Sequence, residues 1–197
     1  MAWNMPAYNT DNYTFGPCVV YIGPTGATPV TDVGALKGNT EVAVSKEILE
    51  IKQGCPQVVT KQFVTVQGAT IKFNSLEPFK IANLEAALGA GVIASDADTE
   101  VLEYGGDVNM SERAVRIVHQ MPNGTTVTMD FWRVQGQADL TIPFSETEEV
   151  SIPFEFKVLD GIKNFAGETI SSTSCGRMFR LTKEIGSGGT TCDPVSV

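Results

Sequence analysis

The sequence predicts a mainly β domain, a sandwich or barrel of about eight strands with one short helix. Three features carry that prediction. Segments of alternating polar and apolar residues recur through the middle of the chain, 19 glycines and 10 prolines punctuate them, and a single stretch shows helical spacing. At 197 residues the chain has the length of one domain, and its pattern divides into an arm at 1–17, a β domain at 18–169 and a second arm at 170–197.

The first alternating segments fall at 18–22, 42–51, 57–66 and 69–73. Within 42–51 the alternation changes phase near Lys46, where Val42 and Val44 give way to Leu49 and Ile51. That predicts a bulge or a loop excursion at this point. The helix follows: Pro78 suits a first turn, Ile81, Leu84 and Leu88 share a face, and Gly89-Ala90-Gly91 ends it. A hairpin is expected from 114–121 and 125–134 around the turn residues Pro122, Asn123 and Gly124. Its outgoing strand sets Val127, Met129 and Phe131 against Thr126, Thr128 and Asp130. Trp132 faces away from Phe131, which calls for a second apolar surface beyond the core.

The most regular strand is 150–158, with Val150, Ile152, Phe154, Phe156 and Val158 on one face. Upstream, Leu140, Ile142 and Phe144 alternate as well, so the two segments are expected to pair as a hairpin. Both contain Ile-Pro-Phe, and proline cannot donate a ladder hydrogen bond, which predicts that part of this hairpin is a sheet edge. The terminal arms lack sustained periodicity. Segments of this kind serve either as linkers or as docking arms on a neighbour.

Chemistry is hard to find. The one histidine, His119, excludes any mechanism that needs two. No metal-binding HExxH, phosphate loop, nucleophile elbow or dinucleotide fingerprint occurs. Cys18, Cys55, Cys175 and Cys192 are widely spaced without a CxxC pair, which is the pattern of core or arm residues. Glu146, Glu148 and Glu149 fit a solvated turn better than a catalytic carboxylate pair. No enzyme activity, cofactor or metal is therefore expected. The net charge of −9 has the wrong sign for gripping a phosphate backbone. The start of the chain has neither a basic nor an apolar signal-like stretch, and no run approaches the ~20 apolar residues of a membrane span, so a cytosolic product without membrane insertion is expected.

Over most of 15–160 the order of these features resembles the tail tube proteins of long-tailed, siphovirus-like bacteriophages. The resemblance runs through Gly34-Ala35-Leu36-Lys37-Gly38, Glu41-Val42-Ala43-Val44-Ser45, Glu47-Ile48-Leu49-Glu50-Ile51, Cys55-Pro56-Gln57-Val58-Val59, Ile71-Lys72-Phe73 and the helix around Ala82-Asn83-Leu84-Glu85-Ala86-Ala87-Leu88-Gly89. It implies a β-sandwich or barrel with one helix, assembled as hexameric rings stacked into a hollow tube around a tape-measure protein, through which viral DNA passes without specific binding. The subunit would be made in the host cytoplasm and reside in the virion.

The family's long loop that reaches the next ring has its counterpart at 45–57, led by Ser45, Lys46, Glu47, Ile48, Leu49, Glu50, Ile51, Lys52 and Gln53. Trp3, Tyr8, Tyr13 and Phe15 in the first arm, and Met178, Phe179 and Leu181 in the second, are the expected intersubunit residues. The acidic balance suits a conduit that repels DNA. Three other classes stay open on the residues alone: another virion β protein, such as a tail terminator, capsid decoration or baseplate subunit; a glycan-binding or adhesion module; and, least favoured for want of any cluster beyond solvated acids, an enzyme using a carboxylate pair.

Overall fold

The computed structural model describes residues 16–77, 79–96, 98–106, 109–122, 124–139, 141–142, 149–171 and 176–184. Among these the protein is mainly β with one short helix. The strands are β1 (Cys18–Pro24), β2 (Thr31–Asp32), β3 (Leu36–Gln53), β4 (Val58–Ser75), β5 (Val92–Ser95), β6 (Glu100–Glu103), β7 (Glu112–Gln120), β8 (Thr126–Gly136), β9 (Ile152–Val158) and β10 (Phe179–Lys183), and helix α1 spans Ile81–Leu88.

One antiparallel sheet holds eight strands in the order β2-β1-β7-β8-β9-β4-β3, with β10 added beside β8. β8 is shared along its length: β10 pairs with Met129 and Phe131, and β9 takes over at Val134. The sheet curls on itself. β1 and β3 lie near opposite ends of the strand order, yet the Cys18 thiol donates to the Thr40 hydroxyl at 3.1 Å. That closure gives the barrel-like form expected of alternating strands with one apolar face.

The enclosed face is apolar because the period-2 pattern puts every second residue there. Val20, Val115, Phe131, Ile71, Phe73, Phe154 and Phe156 are all buried in it. Phe73 and Phe154 are register partners on β4 and β9, and their rings stack at 4.8 Å. Phe156 adds a tilted contact with each. Helix α1 contributes Leu84, Ala86 and Ala87 to the same core and ends at Gly89, whose φ of 66° is the left-handed cap. The helix comes unusually close to β8: a Cβ placed on Gly136 would lie 2.5 Å from the carbonyl oxygens of Ala86 and Ala87. Only glycine fits that crossing.

Trp132 finds its second apolar surface within its own chain. The loop after β9 folds over the outer side of the sheet, where Phe165 meets Trp132 edge-on at 4.6 Å and the indole N–H donates to the Gly176 carbonyl at 2.7 Å. Arg116 lies over the Phe165 ring, 5.1 Å from its centre, and pairs with the buried Asp130 through two hydrogen bonds of 2.6 and 3.1 Å. Asp130 stands opposite Arg116 in the β7–β8 register, so a charged pair and an aromatic pair form one layer outside the core.

The expected hairpin of 140–144 with 150–158 is corrected. β9 lies inside the sheet, with β4 along its whole length and β8 beside its second half, because its apolar face is matched by the phenylalanine of β4. Residues 141–142 form no strand, and 140 and 143–148 lie outside the described residues. The proline argument still holds locally. Pro153 is in the half of β9 that has β4 as its only strand partner.

Phe154→Ala is expected to lower the unfolding free energy by about 3–5 kcal/mol in urea titration, because the stacked partner Phe73 is left facing a cavity. Glu112 supplies a pH-dependent contribution. It is held below its ordinary value by the Arg133 hydrogen bond, which outweighs the opposing effect of partial burial. Stability from this group is present above the ordinary glutamate value and is lost as pH falls through the lower folded-state value. The stability gap between wild type and Glu112→Gln should therefore be full at neutral pH and close on acidification, in denaturation curves taken between pH 7 and pH 2.

Candidate functional site: a projecting two-stranded ribbon

β3 and β4 are each 18 residues long, yet only the base of the pair belongs to the sheet. β9 pairs with β4 from Ala69 to Ser75 and no further. Beyond Val44 and Gly68 the two strands continue together without a third, reach a turn at 54–57 and expose every residue from 43 to 67. Ten residues per arm correspond to a reach of about 30 Å.

The expected loop at 45–57 is thus the outer half of a β ribbon. Its phase change is a real irregularity: the register shifts between Glu47 and Ile48, and again between Ile51 and Lys52. Each shift leaves one extra residue on β4, and both extra residues are threonines. Thr65 and Thr60 donate their hydroxyls across to the carbonyl oxygens of Glu47 and Ile51, at 3.4 and 3.0 Å. A side-chain donor thereby reaches a carbonyl where the ladder is interrupted.

The ribbon is apolar on both faces. The cross-strand partners Leu49 and Phe63 share one face with Val66, while Ile48 and Val64 are partners on the other. Leu49 is 55% exposed and Phe63 42%. A two-stranded ribbon is marginal in water without a third strand or a covering layer. Here both faces call for one. Ile51, Val58 and Val59 are exposed as well, and polar contacts lie among these residues: Gln62 donates to Glu50 at 2.9 Å, Lys52 lies 3.6 Å from Glu50, and the Lys61 ammonium sits 4.7 Å from the Phe63 ring centre.

Of the residues expected in the ring-stacking loop, Ser45 to Gln53 all lie on this ribbon and all are exposed. The arm residues divide. Trp3, Tyr8, Tyr13 and Phe15 lie outside the described residues. Met178 and Phe179 pack against the core of their own chain, with the Phe179 ring 5.5 Å from Phe131, and Leu181 is exposed. The stretch expected to act as an arm at 178–181 therefore includes the start of β10, because Phe179 completes the aromatic core beside β8.

A second apolar projection has no counterpart among the predicted elements. β5 and β6 form a small sheet of their own beside α1, in which Val92, Ile93 and Val101 are exposed and Tyr104 follows uncovered. Its turn is fixed by Asp96, whose carboxylate accepts from the backbone N–H groups of Asp98 and Thr99 and from the Thr99 hydroxyl. Those bonds keep Asp96 below the ordinary aspartate value.

A cleft of about 700 Å³ opens between the base of β3 and strands β1, β7 and β8, lined by Pro17, Cys18, Leu36, Val42, Ile117 and Met129. His119 stands at it and donates Nδ1–H to the Pro17 carbonyl at 3.0 Å. Among the described residues no group of three or more His, Cys, Asp or Glu converges as a metal site, and no helix is long and apolar enough to cross a membrane.

The fold and the site together define a mainly β domain bearing a long apolar ribbon. Comparison of the sequence with models of known protein families and with curated proteins gave no match.

Replacing Leu49 and Phe63 together with serine should leave the unfolding free energy of the monomer within about 1 kcal/mol of wild type, since each is a surface position in the isolated chain.

Proposed function

We propose that this chain is a structural subunit that acts by assembling with copies of itself, and that it forms the tail tube of a long-tailed bacteriophage. The observation that carries the reading is the ribbon at 43–67, apolar on both faces and exposed along its whole length among the described residues. Exposed apolar surface of this extent marks an interaction site. A projecting element that fits a different surface on an identical neighbour produces head-to-tail contacts, and these close into rings when the rotation allows.

The mainly β fold with one helix and a long excursion after the early strands agrees in order with the family that the sequence resembles. In that reading, six subunits make a ring, rings stack into a hollow tube around a tape-measure protein, and an acidic wall lets DNA pass without adhering. The subunit is assembled in the host cytoplasm and resides in the virion, without catalytic activity or cofactor. Trp132 weighs against a glycan-binding module, because the indole that would serve as a stacking platform is buried beneath Phe165.

Negative-stain electron microscopy with light scattering tests the reading. Wild-type protein should form rings or hollow tubes of constant diameter, directly or when seeded with tail tips. A variant in which residues 46–67 are replaced by Asn-Gly should retain the folded domain, because Ser45 and Gly68 are already register partners that a two-residue turn can join. It should form no tubes. Wild-type protein that stays monomeric under both conditions would remove the reading.

A further inference from the structure

The assembly reading leaves open which surface of a neighbour receives the ribbon. Among the described residues there are two exposed apolar projections, and they differ in charge. Between residues 44 and 67 the ribbon has three lysines, Lys46, Lys52 and Lys61, against two glutamates; Lys52 and Glu50 pair with each other, which leaves Lys46 and Lys61 against Glu47. Between residues 92 and 106 the β5–β6 hairpin has four carboxylates and no basic residue. Its register places Val92 beside Glu103 and Ala94 beside Val101, so one face of the small sheet is an apolar patch with a carboxylate at its margin.

From these features we infer that the β5–β6 hairpin is the docking surface for the ribbon of a second copy of this chain, with Val92 and Val101 meeting the ribbon's apolar face and the hairpin's carboxylates meeting its lysines. The inference rests on the assembly reading above and adds the identity of the receiving surface.

Connectivity supports a contact between chains. β4 carries the ribbon off the sheet at Ala69, whereas α1 and then β5–β6 follow from its other end at Ser75. Both projections are exposed within a single chain, so neither covers the other there. Two unlike patches on one subunit give a heterologous contact, which can repeat from copy to copy. Apolar area supplies the attraction, and charge of opposite sign fixes register and disfavours ribbon-to-ribbon pairing. The Asp96 bonds hold the hairpin turn in one shape before docking.

Charge exchange on the full chain tests this. One variant changes Lys46, Lys52 and Lys61 to Glu, a second changes Asp98, Glu100 and Glu103 to Lys, and a third carries both sets. All six positions are exposed, and circular dichroism checks that each monomer is folded. The first two variants should raise the concentration needed for assembly about tenfold, in line with the modest value of single surface ion pairs summed over three. The third should recover assembly.

Loss in both single sets with recovery in the combined chain supports the pairing. If wild type forms tubes and either single set assembles as well as wild type, or the combined chain fails to recover, the pairing is overturned while the assembly reading stands. If wild type forms no assembly even when seeded, both fall together.

Discussion

Everything in this fold turns on the division of one strand between two environments. From Ala69 to Ser75, β4 is held between β3 and β9, and its inward residues are fully covered. From Val58 to Gly68 the same strand has β3 alone. The covered half supplies the stack of Phe73 on Phe154 that anchors β9, and β9 in turn carries the sheet across to β8. Rigidity at the base is what makes the outer half an element with a defined direction. Without it the ribbon would be two loosely paired segments.

The domain secures that base with two layers of different character. Inside, phenylalanines and branched aliphatics fill a curled sheet, and α1 fits against β8 only because Gly136 offers no side chain. Outside, a loop is fastened over Trp132 by an aromatic edge contact and an indole hydrogen bond, with the Arg116–Asp130 pair beside it. Asp130 is buried while Arg116 keeps part of its surface in water and lies against Phe165 of the loop. Among the described residues the ribbon has no such second layer, and it is the longer of two exposed apolar elements, the β5–β6 hairpin being the other.

Much of this was legible in the residues, and the exceptions have physical causes. β1, the α1 helix, the β7–β8 hairpin and the inward face of 150–158 follow from period-2 or helical spacing, because each has one face in the core, whereas the strand partners of 150–158 did not follow from it. The irregularity near Lys46 was also visible as a phase change. Alternation marked segments at 42–51 and 57–66, but it left open whether the phase change was a bulge within a strand or a loop excursion, since a ribbon with apolar residues on both faces has no single face to settle it. The β5–β6 hairpin escaped notice for a different reason. Its strands are four residues long, and Leu102 is the one large apolar residue among them that packs on the core. β10 was hidden because its order comes from the edge of β8 and not from its own pattern. The partner of Trp132 lay in a loop whose sequence gives no sign that Phe165 folds back.

The two bulges have a geometric consequence. Both extra residues are on β4, at Thr60 and Thr65, and an extra residue on one strand bends it and increases the local right-handed twist. Two such steps on the same side, about five residues apart, accumulate. The apolar stripe that begins in line with the core therefore winds around the ribbon axis as it approaches the tip, like the thread of a screw. Any surface that follows this stripe must turn with it, so the positions of two threonines would set an angle between one body and the next.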